Sequence, residues 1–126
     1  MAGELILIVE DNEKNRKLVR DLLEFKGYRT REATTAEDGL RLARTDQPAL
    51  ILMDIQLPGM DGLAAFAHLR ADPATQRIPV IAVTASAMAQ DRERIMAAGF
   101  DGYQAKPISV KELPEIVRRL LDARAT

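Results

Sequence analysis

Three short, almost uninterrupted apolar runs are the feature that most limits how this chain can fold. They cover Leu5–Val9, Ala49–Met53 and Val80–Val83. A strand that is apolar along its whole length is typical of a parallel sheet whose two faces are both covered by helices. The first run follows an N-terminus without a basic segment and is far too short for a signal peptide or a membrane span. These runs therefore predict the buried strands of a parallel sheet.

Two weaker strand candidates and five amphipathic segments complete the pattern. The candidates, Tyr28–Ala33 and Gly102–Ala105, are more polar, so we expect them near the edges of the sheet. The amphipathic segments follow the five strands in turn, and each predicts a helix. The resulting βαβαβαβαβα alternation predicts an α/β fold, a doubly wound, flavodoxin-like (βα)5 sandwich with a parallel five-stranded sheet in the order 2-1-3-4-5.

Local signals mark where several of these helices begin. Thr34 followed by Glu37 and Ser109 followed by Glu112 have capping-box spacing, and Asp61 can cap the third helix. Pro114 conflicts with the last helix because proline lacks a backbone N–H, which predicts an irregular first turn.

The bulk properties predict one domain over residues 1–126, with a core at about 5–121 and no output domain. The chain has no cysteine, which excludes disulfides and thiolate metal sites. A net charge of −1 gives no global field to recruit nucleic acid or a membrane surface. We therefore expect a cytoplasmic protein that binds neither.

Polar side chains stand where the apolar runs stop. Glu10 and Asp11 follow the first strand, Asp54 ends the third, Thr84 ends the fourth and Lys106 follows the fifth. In doubly wound folds, ligands bind outside the carboxyl ends of the strands, at the point where the strand order reverses. The sequence therefore predicts that these five residues converge on one patch.

The composition of that patch favours phosphoryl chemistry with a divalent cation. Three carboxylates in close proximity raise one another's pKa unless cations compensate them, and Lys106 supplies only one positive charge. An all-oxygen donor set suits Mg²⁺, with Mn²⁺ as a possible substitute. Asp54 is the candidate nucleophile, Glu10 and Asp11 hold the metal directly or through water, and Lys106 and Thr84 face the phosphoryl oxygens.

The stretches that carry these residues resemble the receiver domains of two-component response regulators. They are Val9–Asn12, Met53–Gly62, Val83–Ala85 and Lys106–Pro107. The resemblance runs from about Leu5 to Leu121 and is strongest to stand-alone, DivK-type members of the family. Each short motif is weak alone, but the four in order at strand ends are specific.

The resemblance implies a role for each position. Asp54 is the phosphoacceptor, and Mg²⁺ is held by Asp11, Asp54, the backbone carbonyl of Gln56 and, through water, Glu10. Thr84, Lys106 and the backbone of Ala85 bind the phosphoryl group, Tyr103 couples phosphorylation to the surface beyond the fourth strand, and the Lys106–Pro107 bond is cis. Gln56 and Ser86 occupy positions that tune the lifetime of the acyl phosphate in this family.

The expected function is that of a phosphoacceptor signalling domain rather than an enzyme acting on a separate substrate. The phosphodonor is a phosphohistidine on a sensor histidine kinase or a histidine phosphotransfer protein. The output is a change in protein contacts on the face formed by the fourth helix, fifth strand and fifth helix, toward a downstream protein that the sequence does not name. We expect a monomer or a weak, phosphorylation-dependent dimer.

Several alternatives are weighed against this prediction. The chain could be a receiver excised from a hybrid kinase, or a phosphorelay intermediate or phosphate sink. A haloacid-dehalogenase-type phosphatase would need an acid where Gln56 stands, and a flavin module would need a phosphate-binding loop where Glu10 and Asp11 stand. A scaffold with a degenerate site is disfavoured by the complete set of five residues.

Overall fold

The alternation of strands and helices predicted from the sequence is present throughout the fold. The computed structural model describes residues 3–85 and 88–125, so Ser86 lies outside the described residues. The elements are β1 (Leu5–Val9), α1 (Glu13–Phe25), β2 (Arg29–Ala33), α2 (Ala36–Asp46), β3 (Leu50–Asp54), α3 (Gly62–Ala71), β4 (Val80–Thr84), α4 (Ala89–Ala97), β5 (Gly102–Ala105) and α5 (Glu112–Ala125). None of the described helices combines the length and apolar character that a membrane span requires.

The five strands form one parallel sheet in the order β2-β1-β3-β4-β5, which confirms the predicted topology. β1 pairs with both β2 and β3, so that Ile6 lies opposite Thr30 on one side and Leu50 on the other. All residues of β3 and β4 are buried, whereas most of β2 is exposed or half-buried. The polar candidates therefore do occupy the edges, where one side of a strand needs no apolar cover.

Two apolar layers lie on opposite faces of the sheet. Alternate residues of β1 separate between them: Leu7 and Val9 pack on one face, Ile6 and Ile8 on the other. The first layer also contains buried residues of α2, α3 and α4, and the second contains those of α1 and α5. Because successive strand side chains point to opposite faces, a wholly apolar strand can serve both layers.

The starts of α3 and α2 test two of the capping predictions. Asp61 caps α3 as predicted, since its Oδ1 accepts the N–H of Ala64 at 2.9 Å. For α2 the prediction is wrong by one residue: Thr35, not Thr34, is the N-cap, and its hydroxyl accepts the N–H of Asp38 at 3.1 Å. The cap is set by the hydroxyl that reaches a free N–H, and two adjacent threonines leave the sequence ambiguous.

The irregular first turn predicted from Pro114 is present where α5 begins. Ser109 Oγ accepts the N–H of Glu112 at 3.0 Å, and a turn at residues 110–111 precedes the helix. α5 itself starts at Glu112, so Pro114 lies in its first turn. The Leu113 N–H already donates to the Ser109 carbonyl at 3.1 Å, so the proline, which has no N–H, interrupts the helical hydrogen-bond pattern at the next residue.

Candidate functional site

The polar residues at the strand ends meet at the carboxyl edge of the sheet. Lys106 Nζ lies 3.0 Å from Glu10 Oε1 and 3.1 Å from Asp54 Oδ2. Carboxylate oxygens of Glu10, Asp11 and Asp54 all lie within 4.8 Å of one another. The predicted convergence of β1, β3 and β5 on one patch is therefore present.

Asp54 is held at the centre of this patch by its own loop. Its side chain is buried, and Oδ1 accepts the backbone N–H of Gln56 at 3.0 Å. The loop after β3 turns back tightly, with the Gly62 N–H donating to the Ile55 carbonyl at 3.0 Å. A Cβ at Gly62 would collide with the Asp54 carbonyl oxygen, so α3 can begin this close to β3 only with glycine there.

The acidic side chains of the cluster differ in exposure. Glu10 and Asp54 are buried, whereas Asp11 is exposed. Burial, reinforced by the neighbouring Asp54 carboxylate, raises the pKa of Glu10 to about 7. Burial also opposes the charge on Lys106, but its hydrogen bonds to Glu10 and Asp54 outweigh that effect and raise its pKa. The single ammonium group of Lys106 thus forms ion pairs with two buried carboxyl groups.

The end of β4 contributes two further hydrogen-bonding groups. Thr84 is fully buried. The side chain of Gln56 crosses to this strand: its Nε2 donates to Thr84 Oγ1 at 2.7 Å, and its Oε1 accepts the N–H of Ala85 at 3.1 Å. Sequence reasoning assigned a metal contact to the Gln56 carbonyl and did not find this side-chain bridge. An exposed glutamine in a loop carries no periodic signal that would have revealed it.

Two predictions beyond the acidic patch concern β5. The Lys106–Pro107 bond is cis, as the resemblance implied. Tyr103 is half-buried beside the core, and the Arg92 guanidinium of α4 lies 5.4 Å from its ring centroid. This cation–π contact joins α4 to the aromatic residue that the resemblance associates with the phosphorylation switch. The participation of Arg92 was not predicted.

Asn12 is a further site residue that sequence reasoning missed. Its side chain caps α1 by accepting the N–H of Asn15 at 3.0 Å, and its own N–H donates to Glu10 Oε2 at 3.1 Å. The cap therefore orients the carboxylate of Glu10 as well as the helix. An asparagine directly before an amphipathic segment was the available signal.

The donor set fits a hard divalent cation. Three carboxylates offer oxygen ligands at the carboxyl ends of β1 and β3, and their mutual repulsion is only partly offset by Lys106. One of the three, Asp11, is exposed, which leaves room for water in the coordination shell that Mg²⁺ retains. The acidic cluster of a magnesium site is therefore present. The contribution of the Gln56 carbonyl stays a prediction.

Comparison with known proteins agrees with this geometry. Residues 6–118 match the family described as the response regulator receiver domain. The chain is 49% identical over 116 residues to the polar-differentiation response regulator DivK of Brucella ovis, an alignment that covers 92% of this chain and 94% of DivK.

Solved structures give the same result. The receiver domain of a Pseudomonas aeruginosa sensor histidine kinase, which has a magnesium ion coordinated in its active-site cleft, superposes with a TM-score of 0.88 at 38% identity, covering 96% of this chain and 99% of that one. A CheY-like receiver domain protein from Methanospirillum hungatei superposes with a TM-score of 0.87 at 30% identity, covering 98% of each chain. Strand order, acidic cluster and sequence similarity agree, and this chain belongs to the response regulator receiver domain family.

Proposed function

We propose that this chain accepts a phosphoryl group on Asp54 from a phosphohistidine donor, in a reaction that requires Mg²⁺. The observation that carries the proposal is the position of Asp54: a buried carboxylate at a strand end, 3.1 Å from Lys106 and next to two further acids. A buried charge is costly unless it is paired, and here one cation faces several anions. That imbalance suits a site completed by a metal ion and a phosphoryl group.

In the proposed site, Asp11, Asp54 and the backbone carbonyl of Gln56 ligate Mg²⁺, and Glu10 acts through water. Mn²⁺ can replace Mg²⁺ because it accepts the same oxygen ligands. The bound ion supplies positive charge that offsets the phosphoryl oxygens and the carboxylates. Neutral pH leaves Glu10 partly protonated in the metal-free protein, since its pKa is raised to about 7.

Each residue of the site has a separate role in the proposed phosphoryl transfer. An oxygen of the Asp54 carboxylate attacks the phosphorus, the P–N bond to the donor imidazole breaks as the new P–O bond forms, and solvent reprotonates the leaving nitrogen. An ionised carboxylate has no proton to lose, so no general base is required. Lys106, the Thr84 hydroxyl and the Ala85 N–H bind the phosphoryl oxygens. The chain thus acts as a phosphoacceptor, not as an enzyme with a separate substrate.

Phosphorylation is proposed to change the surface formed by α4, β5 and α5. It adds between one and two negative charges beside Lys106 and Thr84. Thr84 moves toward the phosphoryl group, and Tyr103 turns inward and away from its contact with Arg92. Met88 and Met96 give this region exposed apolar side chains, 64% and 42% exposed, that a partner protein can cover.

The proposed donor is a sensor histidine kinase or a histidine phosphotransfer protein, and the output is a contact with a downstream protein. The alignment covers 94% of the response regulator DivK, and this match favours a regulator of the single-receiver type. The similarity to the receiver of a sensor histidine kinase supports a second candidate, a receiver within a hybrid kinase or a relay stage. Monomer and weak, phosphorylation-dependent dimer are both compatible with this function.

The test is intact-protein mass spectrometry after incubation with acetyl phosphate. We expect one phosphoryl adduct with Mg²⁺, none with EDTA, and none in Asp54→Asn, whose amide cannot act as the nucleophile. Asp61→Asn is the matched control, because Asp61 is an exposed cap on the same loop and outside the acidic cluster. An adduct that persists in Asp54→Asn would show that another residue is the acceptor.

A further inference from the structure

We infer that the Gln56 side chain is a positioning residue that holds the phosphoryl-binding groups of β4 in the unphosphorylated protein and must be displaced when Asp54 is phosphorylated. The inference rests on the proposed function, because it takes Thr84 and the Ala85 N–H as groups that bind the phosphoryl oxygens. Its structural basis is the bridge from Gln56 to these two groups, with distances of 2.7 and 3.1 Å.

The orientation of the carboxamide follows from its partners. A backbone N–H can only donate, so the carbonyl oxygen of Gln56 faces Ala85 and its NH₂ group faces the Thr84 hydroxyl oxygen. Both ends of one side chain are therefore engaged by adjacent residues of β4 and its loop. The main chain of Gln56 is fixed as well, since its N–H donates to Asp54 Oδ1 at 3.0 Å.

This arrangement competes with phosphoryl binding at Ala85. Its N–H has a single proton, which cannot form a good hydrogen bond to Gln56 Oε1 and to a phosphoryl oxygen at once. A movement of Thr84 toward Asp54 would stretch the 2.7 Å contact between its hydroxyl oxygen and Gln56 Nε2. Gln56 therefore stabilises the inactive position of both residues.

The metal site gives an internal control for this idea. Only the main chain of Gln56 takes part in the proposed Mg²⁺ coordination, whereas only its side chain holds Thr84 and Ala85. Removing the side-chain hydrogen bonds keeps the carbonyl of Gln56 in place, so it should strengthen binding of a phosphoryl mimic and alter Mg²⁺ affinity much less. A variant that only made the loop after β3 more flexible would weaken the binding of Mg²⁺ and also the binding of the phosphoryl mimic.

The experiment compares wild type with Gln56→Met, which keeps the length of the side chain but cannot form the bridge. Gln76→Met, a change at an exposed glutamine distant from the site, is the matched control. Beryllofluoride is titrated at saturating Mg²⁺ and followed through backbone amide resonances, Mg²⁺ is titrated separately, and Ala85 amide exchange is measured without either ligand.

We expect Gln56→Met to bind beryllofluoride about three- to tenfold more tightly and to show faster Ala85 exchange, as the loss of one or two ordinary hydrogen bonds predicts. Unchanged or weaker beryllofluoride binding in Gln56→Met would overturn the inference and leave the proposed function intact. A wild-type protein that binds no beryllofluoride with Mg²⁺ would overturn the proposed function itself, and the inference with it.

Discussion

Lys106 places a single ammonium group between two carboxylates that are both almost fully buried. Its Nζ lies about equally far from Glu10 and Asp54, at 3.0 and 3.1 Å. Removing one member of such a group leaves the others buried without compensation, which costs more than the intact group contributes. Lys106 is therefore as much a structural cation as a proposed ligand of the phosphoryl oxygens.

The prediction at this scale is that Lys106→Met loses stability chiefly when Mg²⁺ is absent. In EDTA we expect the free energy of unfolding to fall by about 2–4 kcal/mol, because two buried carboxylates lose their partner. Saturating Mg²⁺ should restore part of that loss by supplying positive charge at the same place. Urea denaturation with and without Mg²⁺ measures both effects.

Lys111→Met is the control for this variant, since Lys111 is exposed on the loop before α5. An exposed lysine is expected to change stability by less than about 0.5 kcal/mol. Equal losses in the two variants, or a loss in Lys106→Met that Mg²⁺ does not alter, would contradict the electrostatic account.

At the scale of elements, Arg118 joins α5 to the segments that precede β1 and β2. Its guanidinium donates to Glu4 at 2.8 Å, to Asp122 at 3.0 Å and to the Tyr28 hydroxyl at 3.3 Å. The hydrogen bond from Arg118 lowers the pKa of Glu4. This half-buried network connects α5 to the starts of β1 and of the edge strand β2.

The network predicts a pH-dependent loss of stability in Glu4→Gln. Because the folded-state pKa of Glu4 is lowered, its contribution is complete above the pKa of an unfolded glutamate, about 4.3. It disappears as pH falls through the lower folded-state value. We expect the free energy of unfolding of wild type to exceed that of Glu4→Gln by about 0.5–1 kcal/mol at pH 7 and by less at pH 3.

Urea denaturation at the two pH values tests this expectation, with Glu93→Gln as a matched change at an exposed glutamate on α4. A difference between wild type and Glu4→Gln that is the same at pH 7 and pH 3 would mean that the charge of Glu4 does not matter.

For the whole molecule, the position of the proposed metal site predicts that Mg²⁺ binding and folding are linked. Glu10 and Asp11 follow β1 and Asp54 ends β3, so the acidic cluster exists only when these strands are paired. A ligand that binds the folded state alone stabilises it in proportion to the logarithm of its concentration. Mg²⁺ at about 100 times its dissociation constant should add about 2.7 kcal/mol to the free energy of unfolding.

Asp11→Asn should abolish most of this stabilisation, because it removes the exposed carboxylate of the cluster without disturbing the buried pair. Thermal unfolding across a Mg²⁺ series, with NaCl at matched ionic strength, separates specific binding from screening. Stabilisation of Asp11→Asn equal to that of wild type would exclude Asp11 as a ligand.

Much of this protein follows from local sequence patterns. The apolar runs of β1, β3 and β4 require burial on both sides, and the polar character of β2 and β5 assigns them to the edges. Residues at strand ends are known as soon as the strands are known, so the meeting of Asp54 and Lys106 was predictable. The error at Thr34 shows that the exact residue at which a helix begins was not predictable.

Only the tertiary structure decided which contacts form between residues far apart in the chain. The amino-acid sequence determined which segments are strands and which polar residues stand at their ends, because periodicity and strand length are local properties that burial enforces. The bridge from Gln56 to Thr84 and Ala85 and the contact of Arg92 with Tyr103 depend on loop paths and side-chain rotamers. Such contacts are set by packing in three dimensions, and no repeating pattern along the chain encodes them.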